Sequence, residues 1–131
     1  MSRQAGILIV DAEDESRLRL ARALEEFGRE LFLTNSGIDA LEQLADHQVA
    51  LALIALELPG IDGLAVVKKI ERERPEVRVL VLSTGRRPDE IEDSVRHGAL
   101  DVLRKPVSAE RVRSAVRAAL RWEGDGESPS G

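Results

Sequence analysis

Residues 49–63 of the chain read VALALIALELPGIDG, and this stretch decides the fold. The run Ala50–Leu56 is apolar throughout, which is typical of a strand buried on both faces of a parallel sheet. Residues 59–60 (Pro-Gly) and 62–63 (Asp-Gly) are loop and turn signals. Apolar residues then recur at helical spacing over 64–70. The stretch therefore predicts a buried strand, a short loop and a helix.

The same alternation extends over most of the chain. Helix patterns follow each strand pattern, with Gly28 and Gly98 as stop signals and Ser108 as an N-cap for the last helix. Five strands that alternate with five helices predict an α/β fold, a doubly wound open parallel sheet covered on both faces. Sites in such sheets lie at the carboxyl ends of the strands. The other predicted strands are Ile7–Val10, Leu31–Thr34, Val77–Leu82 and Asp101–Arg104.

The length and composition indicate one globular domain. The chain has 131 residues, of which 43% are apolar and 33% charged, so it is long enough to bury a core and too apolar to be disordered. We assign residues 1–122 to this domain. Residues 123–131 consist mainly of Gly, Ser, Pro and acidic residues, which predicts a disordered tail or the start of a linker.

The composition also excludes several classes of function. Aromatic residues make up 2% of the chain and the net charge is −5, which argues against nucleic-acid binding. There is no Cys, and the two His residues stand apart, so we expect no metal site built on them. The apolar runs are too short to span a membrane and no signal peptide is evident, so we expect a cytoplasmic protein without membrane contact.

Polar residues stand where the predicted strands end. In chain order they are Asp11 to Glu15, Glu57 with the Pro-Gly and Asp-Gly pairs after it, Ser83-Thr84-Gly85, and Lys105-Pro106. This ordered set resembles the response-regulator receiver domain of two-component signalling, from about Gly6 to Leu120. The resemblance implies a flavodoxin-like (βα)5 fold and a role in phosphorelay signal transduction.

The resemblance also assigns a role to individual positions. It implies that the first acid of the family's pair is Asp11. It also implies that the hydroxyl that senses phosphate belongs to Ser83, and that the lysine typical of the family is Lys105. Three other positions depart from the pattern. The second acid, a magnesium ligand in the family, falls on Ala12, the phosphoacceptor on Ala55, and the aromatic switch residue on Val102.

These departures have chemical consequences. Formation of an acyl phosphate needs a carboxylate nucleophile, which a methyl group cannot supply. Magnesium prefers several hard oxygen ligands, and two carboxylates of the family's set are absent. We therefore expect a degenerate pseudo-receiver: not an enzyme, without a cofactor, with magnesium binding weak or absent, and acting by phosphorylation-independent protein–protein interaction. Two alternatives stay open, phosphorylation at Asp11 or Glu57, and a small flavodoxin-like ligand-binding protein.

The resemblance implies that the Lys105 ammonium faces the carboxylates of this site, and a partly buried ammonium needs an anionic partner. We expect Lys105 to pair with Asp11, and Glu57 is either a second partner or an ordinary loop acid. The acids at 13–15 are typical of a helix N-terminus, with Asp14 as the candidate N-cap. Thr84, like its neighbour Ser83, is expected to bond local backbone groups.

The resemblance implies that the last helix and the strand before it form part of a surface for pairing or docking with partners. Charged residues on this surface and on the preceding helix are candidates for salt bridges across an interface. The expected partner is a protein, such as a histidine kinase or an effector domain, and a homodimer is an alternative. The candidate residues are Glu90, Asp93, Arg104, Arg111 and Arg113.

Overall fold

A computed structural model of the protein describes residues 4–125. Strands and helices alternate along the chain, as the sequence predicts, and a short 3-10 helix (Glu25–Phe27) continues the first α-helix. The strands are β1 (Gly6–Val10), β2 (Leu31–Thr34), β3 (Val49–Ala55), β4 (Arg78–Ser83) and β5 (Ala99–Arg104). The helices are α1 (Asp14–Leu24), α2 (Gly37–Asp46), α3 (Gly63–Glu73), α4 (Pro88–Arg96) and α5 (Ala109–Asp125).

The five strands form one parallel sheet in the order β2-β1-β3-β4-β5. The fold class predicted from the sequence is therefore confirmed. The strand order reverses between β1 and β3, and a crevice at such a switch point is where ligands bind in open α/β sheets. β5 is an edge strand, as its weak apolar pattern suggests, and it begins two residues earlier than predicted, at Ala99.

Each face of the sheet carries its own layer of helices. One face packs against α2, α3 and α4, and the other packs against α1 and α5. Side chains alternate between the two layers along each strand, so Ile54 belongs to the first cluster and Ala55 to the second. The three central strands are buried on both sides, which explains why their sequences are continuously apolar.

The helix starts follow the local sequence signals. The Asp62 carboxylate accepts a hydrogen bond from the backbone N–H of Ala65 at 2.9 Å, and the Ser108 hydroxyl accepts one from Arg111 at 3.0 Å. The prediction of Asp14 as an N-cap is wrong, because Asp14 is the first helical residue. Glu13 occupies the cap position, and its side chain makes no capping hydrogen bond.

The last helix extends beyond the predicted domain boundary at residue 122. α5 ends at Asp125, so its last three residues fall within the segment predicted as a tail, and residues 126–131 lie outside the described part. Between residues 4 and 125, no helix has the length and apolar character needed to cross a membrane.

Candidate functional site at the carboxyl edge of the sheet

The strand register brings the predicted site residues to one edge of the sheet. Val10 of β1 pairs with Ile54 of β3, so Asp11 and Ala55 follow neighbouring positions. Ala55 in turn pairs with Leu82 of β4, directly before Ser83. β4 and β5 continue the same arrangement toward Lys105, whose backbone N–H donates to the Ser83 carbonyl at 2.8 Å.

Both carboxylate oxygens of Asp11 are engaged by groups of the chain itself. Oδ1 accepts hydrogen bonds from the backbone N–H of Glu13 at 3.0 Å and from Nζ of Lys105 at 3.1 Å. Oδ2 accepts one from the hydroxyl of Ser16 at 2.5 Å. Asp11 is only 1% exposed. A buried carboxylate costs free energy unless it is paired and hydrogen-bonded, and here three donors meet that requirement.

Lys105 forms a second ion pair that the sequence did not indicate. Its Nζ lies 2.5 Å from Oε1 of Glu13 and 3.1 Å from Oδ1 of Asp11. The predicted pairing with Asp11 is thus confirmed, whereas Glu57 is not an ion-pair partner. The sequence suggests only a helix N-terminal role for Glu13. Because its side chain does not cap the helix, it is free to reach the ammonium.

The electrostatics of Lys105 follow from these contacts. Burial by itself lowers the pKa of the ammonium, but the hydrogen bonds and charges of Glu13 and Asp11 outweigh it, so the pKa lies above the ordinary value of 10.5. Lys105 is therefore a charged group at neutral pH, and two carboxylates face its single positive charge. The peptide bond from Lys105 to Pro106 is cis.

The two alanines lie at this edge but contribute no polar side-chain atom. Ala55 is fully buried and packs in the cluster beneath α1 and α5. Ala12 is exposed in the turn between β1 and α1. The loop after β3 folds back closely, so that a Cβ at Gly63 would overlap the carbonyl oxygen of Ala55. Gly63 is required here for the close approach of α3 to the end of β3.

Glu57 faces the loop after β4 instead of the lysine. The Ser83 hydroxyl donates to Oε2 of Glu57, and the backbone N–H of Thr84 donates to Oε1, each at 3.4 Å. The Ser83 hydroxyl also accepts from the backbone N–H of Gly85 at 2.9 Å. That last contact is the expected local bond, while the contacts with Glu57 link the loops that follow β3 and β4. The Thr84 hydroxyl, by contrast, is buried without a hydrogen-bond partner in the described chain.

Val102 and Arg104 lie on β5 beside this loop. Val102 is partly buried and packs against the cluster beneath α2, α3 and α4. The guanidinium of Arg104 lies against Gly85, whose φ of +87° and lack of a side chain allow the approach. Arg104, predicted as part of a partner surface, thus also covers the loop after β4.

The other residues of the predicted partner surface have contacts within the chain. Glu90 pairs with Arg87 at 2.9 Å, and Asp93 pairs with Arg96 at 2.9 Å, both within or at the start of α4. Arg111 of α5 reaches Asp101 of β5 at 2.9 Å. Arg113 lies on the opposite side of α5, where it pairs with Glu26 at 3.5 Å. The structure therefore separates Arg113 from the other four.

The residues at this edge do not fit a magnesium ion. Positions 12 and 55 offer methyl groups, and both oxygens of Asp11 already accept hydrogen bonds, from Ser16, Glu13 and Lys105. Magnesium needs near-octahedral oxygen ligands. In the described part of the chain, no three side chains of the His, Cys, Asp and Glu types gather as a metal-binding group.

The sequence family is shown by comparison with known proteins. The family model of the response regulator receiver domain matches residues 7–117. The chain belongs to this family, whose members act in two-component signal transduction, where they contact histidine kinases and effector domains. Receiver domains are in general signalling modules rather than enzymes.

Particular relatives support the assignment. The chain is 29% identical over 114 residues to sporulation initiation phosphotransferase F of Bacillus subtilis, which is 87% of this chain and 92% of that protein. It is 30% identical over 114 residues to the transcriptional regulatory protein ZraR of Escherichia coli, but these cover 26% of ZraR. The chain thus spans about a quarter of that multidomain regulator and nearly all of the phosphotransferase.

Solved structures show the same fold. The receiver domain of NtrX from Brucella abortus superposes with a TM-score of 0.81 at 30% identity, over 88% of this chain and 98% of that one. A CheY-like receiver domain protein from Methanospirillum hungatei gives a TM-score of 0.88 at 21% identity, over 94% of this chain and 98% of that one. The flavodoxin-like receiver fold expected from the sequence is confirmed.

Proposed function

We propose that this chain is a pseudo-receiver, which signals through protein–protein interaction without accepting a phosphoryl group. One observation carries the proposal. Ala55 stands at the end of β3, where the resemblance puts the family's phosphoacceptor, and it is buried and has no nucleophilic atom. The ion pairs of Lys105 with Asp11 and Glu13 occupy the lysine at the same edge of the sheet without a ligand.

In this proposal the loop after β4 stays in one arrangement. Contacts from two sides support this: Glu57 accepts from Ser83 and Thr84, and Arg104 covers Gly85. The side chain at position 102 has no ring whose rotation could be coupled to the loop. A partner, such as a histidine kinase or an effector domain, would therefore bind the α4–β5–α5 surface constitutively. Salt bridges from Glu90, Asp93, Arg104 and Arg111 would set its specificity.

The experiment is incubation with a small phosphodonor and Mg²⁺, followed by intact-mass spectrometry. We expect the wild-type chain to stay unmodified. The double variant Ala12→Asp/Ala55→Asp, which restores both carboxylates, is the positive control and should gain the mass of one phosphate. A phosphate adduct on the wild-type chain would contradict the proposal.

A second candidate function is phosphorylation at a non-standard carboxylate. The position of Glu57 favours it, because this carboxylate lies 3.4 Å from the hydroxyl of Ser83. Asp11 is less suited, since both its oxygens are hydrogen-bonded. If the wild-type chain gains one phosphate and Glu57→Gln abolishes the gain, this second function replaces the first. Asp11→Asn is the matched comparison for the other carboxylate.

A further inference from the structure

A cleft of about 500 Å³ lies beside the ion-pair site, between α1 and the start of α5. The segment from β5 to α5 closes one side of it, through Lys105, Pro106 and Val107. Its volume is within the range of roughly 300–1,000 Å³ that is typical of small-molecule sites. The signalling role proposed above involves Glu13, Thr84 and Lys105 of this lining, but not the arginines of α1.

The lining of the cleft combines an apolar surface with positive charge. Pro106, which is exposed, and Val107, which is partly buried, contribute accessible apolar surface. Four cationic side chains line it against one acidic side chain, Glu13. This excess of positive charge occurs in a chain whose net charge is −5, so it is not a reflection of the average surface. The cations are Arg19, Arg22, Lys105 and Arg113.

Two of these cations are free to bind a ligand. Arg19 and Arg22 are exposed, and the described residues place no carboxylate within ion-pair distance of either. They are separated by three positions on α1, so their side chains are neighbours on the helix surface. Guanidinium groups bind carboxylate, sulfonate and phosphate oxygens in charge-assisted pairs. Thr84 also lines the cleft, and its buried hydroxyl has no partner in the described chain.

We propose that this cleft binds a small organic anion, in which an acidic group contacts Arg19 and Arg22 and an apolar body lies against Pro106 and Val107. The inference goes beyond the signalling role, and it stands whether or not the chain accepts a phosphoryl group. Glu13, whose side chain is 69% exposed, weakens binding of the anion in two ways. Its carboxylate repels a ligand of the same charge, and its ion pair with Lys105 keeps that ammonium from the ligand.

The test is a fluorescence titration of the full chain with 1-anilinonaphthalene-8-sulfonate, which carries a sulfonate on an apolar ring system. We expect saturable binding at one site. The double variant Arg19→Gln/Arg22→Gln should bind roughly tenfold more weakly, because two charge-assisted contacts are lost. Glu13→Gln should bind about threefold more tightly, because it removes the repulsion and releases Lys105.

Two controls separate the cleft from general surface binding. Arg121→Gln makes the same kind of charge change at an exposed position of α5 outside the lining, and it should bind like the wild type. N-phenyl-1-naphthylamine has the rings without the sulfonate and should bind much more weakly. Equal binding by the Arg19/Arg22 double variant, equal loss in Arg121→Gln, or equally tight binding of the neutral probe would each overturn the proposal.

Discussion

Lys105 is held between a buried carboxylate and an exposed one. The side chain of Asp11 is 1% exposed and that of Glu13 69% exposed, so the two ion pairs contribute unequally to stability. Breaking a buried pair leaves an uncompensated charge, whereas an exposed pair is screened by water. Most of the site's contribution to stability therefore comes from the ion pair between Lys105 and Asp11.

Replacing Lys105 by Met should lower the free energy of unfolding at neutral pH by about 1–3 kcal/mol, since the buried Asp11 loses its counter-charge but keeps its hydrogen bonds from Glu13 and Ser16. The matched control is Lys69→Met, which breaks an exposed pair with Glu73 of 2.9 Å and should cost at most about 0.5 kcal/mol. Urea denaturation measures both. Equal losses of unfolding free energy in the two variants would contradict the conclusion that the buried pair contributes more to stability than an exposed pair.

The difference in unfolding free energy between wild type and Lys105→Met has a defined pH dependence. The pKa of Lys105 in the folded chain lies above its ordinary value of 10.5, so the folded state binds this proton more tightly than the unfolded state. The stabilisation is complete below about pH 10.5 and is lost as the pH rises through the folded-state pKa. The difference in unfolding free energy between wild type and Lys105→Met should therefore narrow as the pH rises above about 10.5. A gap that closes between pH 5 and 8 would contradict this assignment.

Ser16 tests the other oxygen of Asp11. It is buried, and its hydroxyl donates to Oδ2 at 2.5 Å. Ser16→Ala leaves that oxygen without a donor and should destabilise the chain by about 1–3 kcal/mol. Ser114→Ala, an exposed substitution on α5, is the control and should be within about 0.5 kcal/mol of the wild type. Thermal melting of both variants measures the difference. If Ser16→Ala is as stable as the wild type, Ser16 does not stabilise the buried carboxylate of Asp11.

At the scale of elements, the strand ends place the site residues. The continuous apolar runs of β1, β3 and β4 predicted which segments are buried, and parallel pairing brings their carboxyl ends to one edge. The sequence therefore predicted that Asp11 and Lys105 meet. It did not predict the partners Glu13 and Ser16, because their reach depends on how the chain turns from β1 into α1. That turn carries no sequence pattern of its own.

The junction between β3 and α3 depends on the absence of a side chain at Gly63. A Cβ there would overlap the carbonyl oxygen of Ala55, so Gly63→Ala must displace the end of β3 or the start of α3. We expect a loss of about 2–4 kcal/mol.

Gly60→Ala, in the same loop, separates the crowding at Gly63 from backbone strain. Gly60 has a φ of +71°, and no atom lies within 4 Å of the place that a Cβ would occupy, so the change should cost about 1–2 kcal/mol from backbone conformation alone. Chemical denaturation of the two variants gives the comparison. If Gly63→Ala were as stable as Gly60→Ala, the end of β3 would accommodate the added Cβ without further loss of stability, and the predicted crowding would be contradicted.

At the scale of the whole molecule, the period of the apolar residues was sufficient to predict the architecture. Short apolar runs alternating with amphipathic helices admit few arrangements, and the doubly wound parallel sheet is the one observed. The cleft between α1 and α5 could not be predicted in this way. Its lining comes from both ends of the chain, and neither Arg19 nor Arg22 differs in sequence from an ordinary solvent-facing arginine.

The proposed function depends on the claim that this edge of the sheet does not bind magnesium, and a Mg²⁺ titration followed by melting temperature tests that claim most directly. Binding to the native state raises the melting temperature, whichever phosphodonor or kinase is relevant. We predict no shift for the wild-type chain and a clear increase for Ala12→Asp/Ala55→Asp, which restores two oxygen ligands. A saturable Mg²⁺-dependent increase in the wild-type melting temperature would contradict the claim.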